Sequence, residues 1–125
     1  MLRLDSYTIF ARAAFSFTVA GVLGLALLPE RLLDILGMAF TSNHDKLNHA
    51  AAFAALAAVG SFGWPRQKAK LVAFLLATGA AIEVLQGTQL IARDRDAFDW
   101  LADGIGMLCG LVVAGSITRL ADALR

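Results

Sequence analysis

Cysteine, proline and charge are all scarce in this chain of 125 residues. The single cysteine, Cys109, excludes an internal disulfide and says nothing about redox compartment. Two prolines, Pro29 and Pro65, leave long stretches in which a helix can run unbroken. Charged residues make up 17%, against roughly a quarter in a soluble domain, and so much apolar content excludes a disordered chain. The net charge is +1 with no basic run, so nucleic acid is not an expected partner. A Gly-rich phosphate loop and a Ser-His-Asp arrangement are missing too, which leaves nucleotide hydrolysis and serine chemistry unsupported. Ala and Leu dominate and period-2 alternation is absent, which argues against strands.

What is abundant is apolar side chain: 58% of residues, with a mean hydropathy of +0.68. A helix needs about 20 mainly apolar residues to cross ~30 Å of hydrocarbon. Four segments qualify, at about 9–28, 45–64, 71–91 and 99–118. They predict an all-α protein, a four-helix antiparallel transmembrane bundle forming a single domain over 1–125. A soluble bundle would need polar faces at helical spacing, and the span centres lack them. The first span reads as a retained helix, because it is long for a signal peptide and no convincing A-x-A site precedes Glu30. Ser42, Asn43 and Asp45 are good N-cap types before the second span, and Trp64-Pro65 ends it.

Lys and Arg accumulate on the cytoplasmic side of membrane proteins. Arg3, Arg12, Arg66, Lys68, Lys70, Arg119 and Arg125 would share one side; Arg31, Lys46, Arg93 and Arg95 would share the other. Both termini are therefore expected in the cytoplasm of a bacterial cell, with the chain multi-pass in the cytoplasmic (inner) membrane. This orientation carries the unusual polar residues to one depth, near the outer face. Asp45, Lys46 and His49 open the second helix, Glu83 and Gln86 close the third, Arg93 follows, and Asp99 and Asp103 open the fourth. Asp45 and His49 are spaced i, i+4, as are Asp99 and Asp103, so each pair shares a helix face.

Glu83 is the most costly member, since a carboxylate in hydrocarbon must be paired, protonated or wetted. His49, Arg93 and Lys46 are its expected partners. In this reading Glu83 is the buried ionisable centre, Arg93 its ion-pair or anion-binding partner, and His49 the proton-responsive member, with Asp45 and Asp99 orienting His49 and the arginine. Glu83 and His49 are the candidates for catalysis if a bond is broken. A structural salt bridge at Glu83 is the competing reading. Arg95 and Asp96 read as a solvated loop pair and Cys109 as a small core residue. No metal and no cofactor are expected, because one His among carboxylates lacks the spacing of a zinc signature. Ala102, Gly106, Gly110 and Ala114 form a small-residue stripe suited to helix packing, and Ala73, Ala77 and Ala81 form another.

Three motifs occur in order: Asp45-Lys46-x-x-His49, Glu83-x-x-Gln86, and Arg93 followed by Asp99-x-x-x-Asp103-x-x-Gly106-x-x-x-Gly110. Over roughly 45–110 the chain resembles the VanZ-like family of small bacterial integral membrane proteins. It departs from the commoner pattern at Asp103, where many members have Asn, and at Ala92, where Gly is common. The family is named for a protein linked to low-level resistance to the glycopeptide teicoplanin. The resemblance thus implies a cell-envelope setting without implying a reaction. Membrane lipids and a lipid-linked envelope precursor are the expected partners, with or without chemistry on them. A small proton-coupled transporter and a structural or assembly protein, including a homo-oligomer built on the small-residue stripe, are the alternatives.

Overall fold

The computed structural model describes residues 5–37, 45–89, 91 and 96–125, with the backbone alone at Asp45. Among these residues the chain is all-α, with five helices and no strand: α1 (Ser6–Ala26), α2 (Glu30–Ile35), α3 (Asp45–Gly63), α4 (Lys68–Gln86) and α5 (Ala97–Ala123). Helix boundaries follow local chemistry. The Asp5 carboxylate accepts the Thr8 N–H at 2.9 Å and starts α1, and Asp96 accepts the Phe98 N–H at 2.8 Å and starts α5. α3 stops ahead of Pro65, which has no N–H to continue the ladder. Arg12 closes that end from α1: its Nε–H donates to the Gly63 carbonyl at 2.9 Å, and its guanidinium lies 5.0 Å from the centre of the Trp64 ring.

The short α2 lies in what the sequence presents as a plain connection. It ends at Ile35, and two residues on the chain turns at Gly37, whose φ of 71° is a left-handed conformation that glycine adopts without a Cβ penalty. α4 ends at Gln86, short of the expected boundary at 91, and α5 runs on to Ala123, past the expected 118.

Three of the four long helices, α1, α4 and α5, are long and apolar enough to cross a membrane. α3 is not among them, although the sequence suggests a span there. Its first five residues, Asp45-Lys46-Leu47-Asn48-His49, dilute an otherwise Ala-rich helix. The outer surface of the molecule is strongly apolar: Phe10, Phe17, Leu108 and Val112 are each more than 60% exposed. In water so much exposed hydrocarbon would be a liability; next to acyl chains it is not.

α3 is the central helix and touches α1, α4 and α5. Phe53, Leu56 and Ala57 of α3 form the core with Phe15 of α1, Leu71, Leu75 and Ile82 of α4, and Met107 of α5. The tightest approach is between α3 and α5. A methyl group built on Gly106 would overlap the Ala50 carbonyl, and one on Gly110 the Ala54 carbonyl. Residue numbers rise together along this seam, so α3 and α5 run in the same direction. α4 runs against α5, because Trp100 Nε1–H donates to the Leu76 carbonyl while the Asp96 N–H reaches Glu83. α1 runs against α3, because Gly63 packs against Arg12 while Gly60 packs against Phe15, one turn further along α1.

The second expected stripe is not a packing surface. Ala73, Ala77 and Ala81 are exposed, and α4 instead buries Leu71, Leu75, Gly79, Ile82, Glu83 and Gln86. Cys109 is likewise exposed rather than in the core, one position short of the Gly110 seam.

Because the seam brings backbone to backbone, Gly106→Val or Gly110→Val should separate α3 from α5. Each change is expected to cost about 1–3 kcal/mol or more. Gly104 and Gly115, on the same helix, have open space where a Cβ would stand. Alanine there should be neutral or slightly stabilising. Thermal unfolding in detergent micelles checks both halves of the contrast.

Candidate functional site

The helix directions decide where the polar residues meet. The first turns of α3 and α5 lie side by side, and the last turn of α4 arrives at the same end. At 1.5 Å per residue, Glu83 lies about 5 Å from its helix end, His49 about 6 Å and Asp103 about 9 Å. His49, Glu83, Asp99 and Asp103 are 8%, 5%, 1% and 1% exposed, so the cluster is buried.

His49 is the hub. Its Nδ1 stands 2.6 Å from Asp103 Oδ1, and its Nε2 stands 4.0 Å from Glu83 Oε1. With the proton on Nδ1, the ring donates to Asp103 and turns Nε2 toward Glu83 and Asp99. Nitrogen of His49 and one carboxylate oxygen each from Glu83 and Asp99 all lie within 4.8 Å of one another. Gly79 makes room for this arrangement, because a Cβ there would stand 2.6 Å from Asp103 Oδ2.

Asp96 ties the rim together. Its N–H donates to Glu83 Oε2 at 3.2 Å, its Oδ1 caps α5, and its Oδ2 accepts from Lys46 Nζ at 2.6 Å. Lys46 also stands 3.4 Å from Asp99 Oδ1. The Lys46–Asp96 pair is the part of the cluster that reaches solvent, with side chains 57% and 35% exposed.

Three buried oxygens have no hydrogen-bond partner among the described residues: Glu83 Oε1, Asp99 Oδ1 and Asp103 Oδ2. Buried polar atoms are normally paired, and an unpaired carboxylate oxygen costs more than a neutral one. Three carboxylates gathered around one imidazole call for positive charge from outside their own number.

The structure thus brings together Lys46, His49, Glu83, Asp99 and Asp103. Gln86 is buried but turned away: its Nε2–H donates to the Ala26 carbonyl at 2.9 Å and fastens the end of α1. Arg93, named from the sequence as the partner of Glu83, lies outside the described residues, as does the side chain of Asp45. Asp103 holds His49 by a direct hydrogen bond, because the α3–α5 seam sets residue 49 beside residue 103. Asp96, read from the sequence as a solvated loop residue, is the residue that reasoning missed. Its signal was present, an Asp directly before an apolar helix.

Compared with models of known protein families, with curated proteins and with solved structures, the chain finds no match in any of the three.

The Asp96 carboxyl is held below the usual carboxylate range, first by its hydrogen bond from Lys46 and then by the Phe98 N–H. A group so lowered stabilises the fold above the ordinary carboxylate range, and the stabilisation is lost as pH falls through the lowered value. Wild type should therefore melt above Lys46→Met at neutral pH. The gap should narrow in high salt and close as pH falls below the ordinary carboxylate range and through the lowered value of Asp96. Melting in micelles across pH and salt measures it.

Proposed function

We propose that this chain is a VanZ-like multi-pass protein of the bacterial cytoplasmic membrane, in which α1, α3, α4 and α5 form a four-helix antiparallel bundle. Both termini lie in the cytoplasm. The buried cluster between α3, α4 and α5 sits just beneath the outer face and recognises the polar head group of an envelope lipid or a lipid-linked wall precursor.

One observation carries the reading. In a molecule whose exterior is hydrocarbon, four ionisable side chains from three helices are buried against one another at one end, and two of their carboxylate oxygens, Glu83 Oε1 and Asp103 Oδ2, have neither a hydrogen bond nor a lysine beside them among the described residues. Intramembrane ionisable residues are costly, and they mark pathways and binding sites more often than they stabilise folds. The charge asymmetry of the connections supports the orientation, with Arg66, Lys68 and Lys70 at the end opposite the cluster. Lys46 offers an exposed ammonium beside the buried groups, suited to the charged edge of a head group.

Two features weigh against the alternatives. The cluster stands near one end of the helices rather than at mid-depth, where a carrier alternating between two faces would need it. The Gly106–Gly110 stripe is already covered by Ala50 and Ala54 of the same chain, so it offers no free surface for a second copy.

Native mass spectrometry of gently extracted protein tests the reading. Wild type is expected to carry a defined lipid species that Glu83→Gln loses while remaining folded. The same lipids at the same occupancy on both proteins would overturn it.

A further inference from the structure

The buried cluster has the geometry of a metal site. His49 nitrogen and one oxygen each of Glu83 and Asp99 lie within 4.8 Å of one another, all three residues being buried. Metal–ligand bonds to nitrogen and oxygen are about 2.1 Å long, so three ligands sharing one ion stand about 3.0–3.6 Å apart. Moving each of the three atoms inward by less than about 1 Å would close them on one centre.

A second observation points to a ligand independently of the acidic character of the cluster. Glu83 Oε1 is buried, belongs to a side chain more than nine-tenths covered, and has no hydrogen-bond partner among the described residues. The Asp96 N–H holds the other Glu83 oxygen, so Oε1 is the one turned inward, 4.0 Å from His49 Nε2.

A third observation concerns the imidazole. Asp103 sits 2.6 Å from His49 Nδ1. A carboxylate on the distal nitrogen of a histidine fixes the tautomer and strengthens the other nitrogen as a donor, as it does for metal-ligating histidines. Charge balance agrees. Among the described residues, Glu83, Asp96, Asp99 and Asp103, when ionised, carry four negative charges against the one positive charge of Lys46, an excess that a divalent cation would reduce.

We propose that His49 Nε2, Glu83 and Asp99 bind one divalent transition-metal ion, with Asp103 positioning His49 and water completing the coordination. One imidazole and two carboxylates form a mixed nitrogen–oxygen donor set, suited to Zn²⁺ or Mn²⁺ rather than to an ion that prefers thiolates. The proposal does not depend on lipid recognition, because the ligands are complete within the chain.

The test uses the full chain in detergent micelles, stripped with a chelator and then exposed to Zn²⁺ or Mn²⁺. Elemental analysis after desalting should find one ion per chain. Electron paramagnetic resonance of the Mn²⁺ form should show coupling to a histidine nitrogen. The Glu83→Gln/Asp99→Asn double variant should hold no ion above background. Asp103→Asn should bind ~10–100-fold more weakly, as expected for a positioning residue. Cys109→Ser, which removes the exposed thiol, should bind like wild type. Wild-type protein that retains neither ion would overturn the proposal, and so would a retained ion without nitrogen coupling or one kept by the double variant. Should the double variant fail to fold, wild-type stoichiometry and the nitrogen signature decide alone.

Discussion

Backbone contact between α3 and α5 is the constraint on which the rest of the molecule depends. Gly106 and Gly110 let α5 lie directly against the Ala50 and Ala54 carbonyls, and no residue with a Cβ could do the same. Contact that close fixes the axial register of two parallel helices. Register in turn sets His49 beside Asp103 and Lys46 beside Asp99. With a bulkier stripe the helices would move apart, and a 2.6 Å hydrogen bond between their side chains would be lost before their apolar contacts were. Small residues therefore act here through the polar cluster as well as through dispersion.

The same packing explains why the least apolar long helix occupies the centre. α1, α4 and α5 carry large side chains on their outer faces, as a helix facing acyl chains requires. α3 is surrounded by all three and is rich in alanine, seven of its 19 residues, so its partners can approach closely. Its polar first turns are tolerated because α4 and α5 bring groups that answer them: Asp103 for His49, Asp96 and Asp99 for Lys46. Asp96 joins these elements by capping α5, pairing with Lys46 and holding Glu83 at once.

Much of this was legible in the sequence. Long apolar runs give the long helices, and the four-residue repeat at Ala102, Gly106, Gly110 and Ala114 gives the packing face of α5. The spacing of Asp99 and Asp103 on that helix, with His49 and Glu83 near the ends of two others, gives the meeting of polar groups. What could not be read there is which face each helix turns inward. Ala73, Ala77 and Ala81 look like a seam, yet they are exposed, because α4 meets its neighbours through larger side chains and Gly79. Gln86 carries the same polar signal as Glu83, but three residues turn it toward α1 and the Ala26 carbonyl. The polar first turns keep α3 from being apolar enough to count as a membrane span, and an enclosed helix need not resemble lipid.

Convergence of three helices on His49 is the central claim, and a double-mutant cycle between His49 and Asp103 tests it most directly. Unfolding free energies of wild type, His49→Ala, Asp103→Ala and the double variant, measured in one micelle system, give the coupling between the two side chains. Buried partners in contact should couple by about 0.5–3 kcal/mol. Strict additivity of the two single changes would contradict the contact, and with it the cluster.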